Sequence, residues 1–310
     1  MIGRITQQGM QQATLRHLQS NLSRMSELQQ QASSGKAITK PSDDPAGTVD
    51  AMRIRGDQRA TAQHARNAAD AVGWLSTVDT ALLSSTSLLR QARDLTVQGA
   101  SSGSLSQTAR DALAAELDAT AEALRAQANA TYLGRSVFAG TSNAGEAFTM
   151  TETVIDAGTP DERTVPVYTF TGAGTGGVER RIADNTTVRV DSDGATVFGN
   201  GDESVFALLG NIAADLRNGV DVGGRLSEID TRMDAMLGEV AAMGTRYKQV
   251  LEAQEAISAR EVTLQSQLTS VEDVDLAETI VQLKMQEVAY QAALSATQRT
   301  LQPSLLDFLR

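Results

Sequence analysis

Three short segments carry residue types at spacings that chemistry uses. Gly99-Ala100-Ser101-Ser102-Gly103 has the G-x-S-x-G form of a nucleophile elbow, in which a tight strand-to-helix turn lifts a serine hydroxyl toward a histidine later in the chain. Here the residues before Ser101 are patterned as helix, and both histidines, His17 and His64, lie upstream. Gly172-x-Gly174-x-x-Gly177 has the form of a dinucleotide fingerprint, which must follow a strand and open a helix. The next residues, VERRIADNTTVRV, are polar and then strand-like, so a glycine turn is expected. Asp191-x-Asp193-Gly194 has the look of a calcium loop. With Gly194 at the sixth position, Arg189 falls first and Asn200 twelfth, where the ion needs carboxylates, so a β-turn is expected. The two histidines have no ligand spacing and are read as solvated surface residues. The chain has no cysteine, which excludes disulfides and thiolate metal sites. These residues predict no catalytic, cofactor-binding or metal-binding site, and therefore no enzyme.

The totals narrow the classes further. Of 310 residues 41 % are hydrophobic, so a packed core is possible, but only 4 % are aromatic. A formal net charge of −11 argues against a nucleic-acid partner, which needs a basic footprint, and against an anionic membrane surface. No stretch stays apolar for the roughly 18 residues of a membrane span, so no membrane partner is expected. The opening MIGRITQQGMQQ lacks a signal-peptide apolar run. The expectation is a cytoplasmic protein or one exported without a cleaved signal.

The elements follow from punctuation and period. The five prolines, Pro41, Pro45, Pro160, Pro166 and Pro303, leave two long proline-free stretches that permit long helices. Within the second, alternate steps of three and four run Leu226, Ile229, Met233, Met236, Val240, Met243, Tyr247, Val250, Gln254, Ile257, Glu261, Leu264, Leu268, Val271. All but two are apolar or aromatic, which is a heptad seam. Weaker seams run Ala68, Ala71, Leu75, Val78, Leu82, Ser85, Leu89, Ala92 and Leu113, Leu117, Thr120, Leu124. Asp44 before Pro45 reads as an N-cap, and Ser104 with Gln107 as a capping box. Helices are predicted at about 46–98, 106–131 and 224–271, with a short one around Val205, Leu208, Leu209 and Ile212. Between them lie runs such as VPVYTF and TTVRV bounded by SDG and GNG turns, a β-rich insertion.

The two ends form a third region. Leu15, Leu18, Leu22 and Met25 keep heptad spacing, as do Leu276, Ile280, Leu283, Tyr290, Leu294 and Leu301. Val281, Met285, Val288 and Ala292 add a second stripe, so the last helix, which Asp275 and Glu278 would cap, has an apolar face too wide for one partner. The apolar ending Leu305, Leu306, Phe308, Leu309 extends it. Residues 1–40 carry Arg4, Arg16, Arg24, Lys36 and Lys40 against Glu27, and 272–310 carry six acids against three bases, so the ends have opposite sign. Periodicity alone slightly favours ends that pack only on the rest of their own subunit; the other reading, taken here as the expectation, is that they pair with each other and with neighbouring subunits and order fully only in that assembly. The expected fold is mainly α with a small β-rich insertion, an elongated antiparallel, coiled-coil-like helical bundle built from both chain ends. Its expected domains are 1–45 with 272–310, 46–145 with 203–271, and the outer insertion 146–202.

LSRMSELQQQASSGKAITKPSDDPAGTVDAMRIR, from Leu22 to Arg55, resembles the N-terminal region of the flagellin family. VEDVDLAETIVQLKMQEVAYQAALSATQRTLQPSLLDFLR, from Val271 to Arg310, resembles its C-terminal region. KPSDDPAG, with Pro41 and Pro45, and Gly134-Arg135-Ser136-Val137-Phe138-Ala139-Gly140-Thr141 resemble the hook–filament junction branch of that family more than its filament subunits, although Ala147 departs from the usual Pro-Phe pattern. The resemblance implies a structural subunit of the extracellular flagellum that forms a ring of copies of itself. It also implies partners: hook-associated protein 1 on the hook side, flagellin on the other, and the type III export apparatus with an export chaperone. Leu88–Gln98, LLRQARDLTVQ, resembles a flagellin helix read by an innate immune receptor, a recognition not expected of a junction protein. The alternatives are a filament subunit, a cytoplasmic coiled-coil scaffold, and a hydrolase using Ser101.

Overall fold

The structure is a computed structural model that describes residues 2–101, 105–155, 163–173 and 176–301. Ser102, Gly103, Ser104, Gly174, Leu305, Leu306, Phe308 and Leu309 lie outside the described residues, as does the side chain of Leu301. The chain is mainly helical with a small antiparallel β insertion. The helices are α1 (Ile2–Ser34), α2 (Pro45–Ser101), α3 (Gln107–Ala128), α4 (Gly194–Phe198), α5 (Val205–Arg217), α6 (Leu226–Glu272) and α7 (Leu276–Leu301). Among the described residues, three two-stranded antiparallel sheets lie between α3 and α5: β1 (Thr131–Tyr132) with β2 (Arg135–Ser136), β3 (Phe148–Ile155) with β4 (Arg163–Phe170), and β5 (Glu179–Ala183) with β6 (Thr186–Arg189). Among the described residues no helix is long and apolar enough to cross a membrane.

Two compact units divide the chain, 61–259 and the terminal 1–60 with 260–310. In the unit 61–259 the seams become the core. All eight positions of the α2 seam, Ala68 to Ala92, are buried. Ser85 is tolerated there because its hydroxyl donates to the Ala81 carbonyl at 2.7 Å, leaving no unpaired polar atom. The α6 seam splits by register. Ile229, Met236, Met243, Val250 and Ile257, each seven residues apart, are buried, while Met233, Val240, Tyr247 and Gln254 are half-buried. Each buried Leu, Ile or Met contributes about 1.5–3 kcal/mol. α3 packs on α5 through Leu117 and Leu124 on one side and Leu209, Ile212 and Leu216 on the other.

The β-rich segment joins this core. Phe148 sits among Phe170, Phe198 and Phe206, with ring centroids 5.1–5.8 Å apart. Beyond Met150, by contrast, Thr151 to Val154 are all exposed. Asn129 fixes the entry: its carboxamide oxygen accepts from the Ala147 and Phe148 amides at 2.9 and 2.8 Å, and its amide donates to the Phe148 carbonyl.

Two local expectations are corrected. The cap of α3 is Ser106, whose hydroxyl accepts from the Ala109 amide, not Ser104. The Asp191–Gly194 segment is not a free β-turn. Asp191 is fully buried, accepting from the Val178 amide at 2.8 Å and the Arg189 Nε at 2.9 Å. Asp193 caps α4 through the Ala195 amide.

Candidate assembly interface

The terminal unit is organised around its linkers. Gly35, at φ +69, ends α1 with its amide on the Gln31 carbonyl at 2.8 Å, the left-handed stop that glycine adopts without strain. The chain then runs beside the segment that joins α6 to α7. The Ala37 amide donates to the Glu272 carbonyl at 2.7 Å, and the Val274 amide to the Gly35 carbonyl at 3.1 Å. The buried Glu272 carboxylate takes Lys36 at 2.8 Å and Arg55 at 2.7 Å. Burial alone would raise the Glu272 carboxyl, but Lys36 and Arg55 outweigh it and hold it below the ordinary value. The opposite signs of the two chain ends thus meet in one specific pair.

The sequence KPSDDPAG has a mechanical reading. Asp43 accepts from the Thr39 hydroxyl at 2.8 Å and from the Thr39 and Lys40 amides, closing the linker and lowering its own pKa. Asp44 accepts from the Gly47 amide at 3.0 Å, and Pro45 opens α2 where no N–H is needed. Asp275 caps α7 through the Ala277 and Glu278 amides, as its position predicts.

α1 and α7 run antiparallel and pack. The residues withdrawn from solvent include Thr14, Leu18, Asn21, Met25, Leu28 and Ala32 on α1, and Thr279, Leu283, Gln286, Tyr290, Ala293 and Thr297 on α7. Both sets alternate steps of four and three, so each is a heptad seam, but seven of the twelve positions are polar or small. The Gln286 amide donates to the Asn21 backbone carbonyl at 3.2 Å and side-chain oxygen at 3.3 Å in the middle of the contact.

The stripe Val281, Met285, Val288, Ala292 lies two residues on from this seam, about 200° round the helix. Val281 is 57 %, Met285 63 % and Val288 66 % exposed. α7 therefore turns its polar seam toward α1 and a more apolar stripe away from it, the reverse of a helix that serves only its own fold. Of the residues singled out from spacing, Leu18, Met25, Leu283 and Tyr290 belong to the α1–α7 contact. Leu15, Leu22, Leu276, Ile280 and Leu294 are exposed. Spacing missed Asn21, Thr279 and Gln286, because polar residues do not register in an apolar period, and it missed Glu272, whose partners are remote in sequence.

Among the described residues the motifs that could carry chemistry are not assembled into a site. Ser101 is the last residue of α2, which runs three residues past the expected end at about 98, and it donates its hydroxyl to the Val97 carbonyl at 2.5 Å. His64 is not a free surface residue but half-buried, 4.0 Å from Asp184. Among the described residues no group of acidic or histidine side chains could hold a metal.

Comparison with known proteins agrees with this architecture. The chain is 24 % identical over 316 residues to flagellar hook-associated protein 3 of Salmonella typhimurium, covering 94 % of each. It is 23 % identical over 293 residues to a flagellin of Bacillus subtilis, covering 90 % of each. A solved flagellar hook-associated protein from Vibrio parahaemolyticus superposes with a TM-score of 0.64 at 21 % identity, over 74 % of this chain and all of that one, and so shares its fold. The bacterial flagellin N-terminal helical region matches residues 5–143, and the C-terminal helical region matches residues 226–309. The two matches take in both chain ends, the α2 and α6 seams and the α1–α7 pair, and the chain belongs to the flagellin family, as a structural protein rather than an enzyme.

Proposed function

We propose that this chain is a structural subunit of the extracellular bacterial flagellum that joins the hook to the flagellin filament. The observation that supports assembly is the apolar stripe Val281–Met285–Val288 turned away from α1. Its burial against other subunits would contribute about 1.5–3 kcal/mol per fully covered side chain. The terminal region 1–45 with 272–310 then contributes the inter-subunit helices, through Leu15, Leu22, Leu276, Ile280, Leu294, Leu301 and the closing Leu305, Leu306, Phe308 and Leu309. Residues 46–145 with 203–271 form the rod, and 146–202 the outer part.

The junction position is favoured by the likeness to hook-associated protein 3 along 94 % of both chains, and by the Pro41–Pro45 and Gly134–Thr141 segments. Its partners in this reading are further copies in a ring, hook-associated protein 1 below, flagellin above, and the type III export apparatus with a chaperone on the way out. The comparable likeness to a Bacillus flagellin supports a second reading, the filament subunit itself. Deleting the gene in its flagellated host separates them. Hooks without attached filaments, with flagellin released to the medium, are expected of the junction subunit. Loss of the filament protein itself would make the chain a flagellin.

A further inference from the structure

β1 and β2 are joined by a two-residue turn, Tyr132 pairing with Arg135 across Leu133 and Gly134. Both central residues have positive φ, +49 at Leu133 and +78 at Gly134. Asn or Asp before Gly meets that demand. Leucine meets it poorly, because the left-handed conformation crowds its Cβ against its own carbonyl oxygen. Leu133 gains nothing in return from its own subunit, being 81 % exposed. The hairpin that carries it is held firmly. Tyr132 packs on the buried Trp74 at 5.6 Å, a Cβ on Gly73 would overlap the Tyr132 hydroxyl, and Arg135 lies 5.9 Å from the Trp74 ring centre. The following Val137 and Phe138 are fully buried. A strained, exposed apolar residue on a rigid turn is spent on something outside its own fold.

The same unit holds a hollow suited to it. At the start of α3 an open groove of about 470 Å³ is lined by Leu105, Ala109, Ala112 and Leu113 together with the polar Gln98, Ser101 and Glu116. The hairpin follows the other end of this 22-residue helix, roughly 33 Å away, so a subunit cannot fill its own groove. Arg135 faces the Trp74 ring and Glu116 accepts the Gln91 amide at 3.2 Å; among the described residues neither enters an ion pair. Knob and groove are unlike patches, and a contact between unlike patches repeats from copy to copy until it closes a ring or runs on.

We propose that Leu133 is a preset knob that seats in the Leu105–Leu113 groove of a second copy of this chain, with Arg135 meeting Glu116. This rests on the reading that copies of the chain assemble side by side in the flagellum. The absence of cysteine makes the test direct. The double variant Leu133→Cys with Ala112→Cys is expressed in place of the native chain, hook particles are isolated, oxidised mildly and run without reductant. Dimers and a ladder of this chain are expected, with each single variant remaining monomeric. The chain present in particles but not cross-linked would overturn the proposal, and so would dimers from Leu133→Cys alone. If even the unmodified chain is missing from the particles, the assembly reading falls as well. Leu133→Asn supplies the second arm. The free chain should melt at the same or a higher temperature, because the strain is relieved, while retention in particles falls roughly tenfold. A lower melting temperature, or undiminished retention, would overturn the proposal.

Discussion

Lys36 and Glu272 stand 236 residues apart in sequence and 2.8 Å apart in space, with the carboxylate almost wholly buried. Arg55 closes the other carboxylate oxygen, so one side chain ties the linker after α1, the start of α2 and the end of α6.

This arrangement predicts an acid-sensitive terminal unit. A carboxyl held below its ordinary value of 4.5 contributes stability above that pH and loses it as pH falls through the lower folded value. Glu272→Gln should cost about 1–3 kcal/mol at neutral pH, the size of a lost charge-assisted pair, and should flatten the acid decline. Hydrogen exchange of amides 272–279, followed from pH 7 down into the acid range, measures both.

The outer stripe of α7 and its α1-facing seam should respond oppositely to substitution. Val288→Glu leaves the free chain within about 0.5 kcal/mol of the parent, since the side chain is exposed, yet blocks incorporation into flagella. Tyr290→Ala instead loosens the α1–α7 contact in the free chain. Chemical denaturation paired with a motility assay separates the two.

The α1–α7 pair itself is expected to be marginal in the free chain. Its seam is broken by Thr14, Asn21, Thr279 and Gln286, and ordering costs about 1–2 kcal/mol per residue in backbone entropy. Limited proteolysis should trim both ends and leave a resistant core of about 46–270. Amides across 276–298 should exchange far faster than those of 229–257. Equal protection of the two segments would show that the pair is already stable without neighbours.

The β-rich segment should divide in two. Replacing residues 152–166 by a two-residue turn removes only the outer part of β3–β4 and should change stability by less than about 1 kcal/mol. Phe148→Ala, at the centre of the aromatic cluster, should cost about 3–5 kcal/mol. Deleting 146–202 entirely strips Phe148, Phe170 and Phe198 from Phe206 and should yield no soluble chain. Thermal melts of the three variants check the order.

Much of this was legible in the residues because it is local and periodic. A heptad seam from Ile229 to Leu264, an Asp44–Pro45 helix start and an Asp275 cap each depend on neighbours within a turn or two, and each is found where spacing puts it. The resemblance of both ends to the flagellin family is likewise carried by contiguous motifs. Other features depend on what a residue meets across space. α7 carries two apolar stripes that sequence cannot rank; the choice falls to α1, whose Asn21 accepts Gln286 and turns Val281, Met285 and Val288 outward. The segment 146–202 reads as an outer insertion because it interrupts the helical pattern, lacks heptads and carries turn residues, yet Phe148 and Phe198 bury against Phe206 of α5. The α3 cap falls to Ser106, whose hydroxyl accepts from the Ala109 amide. Glu272 looked like one acid among six until the fold brought Lys36 and Arg55 to it. Periodicity reports which residues leave water; only the tertiary structure decides which partner they leave it for, because that choice rests on contacts hundreds of residues apart in the chain.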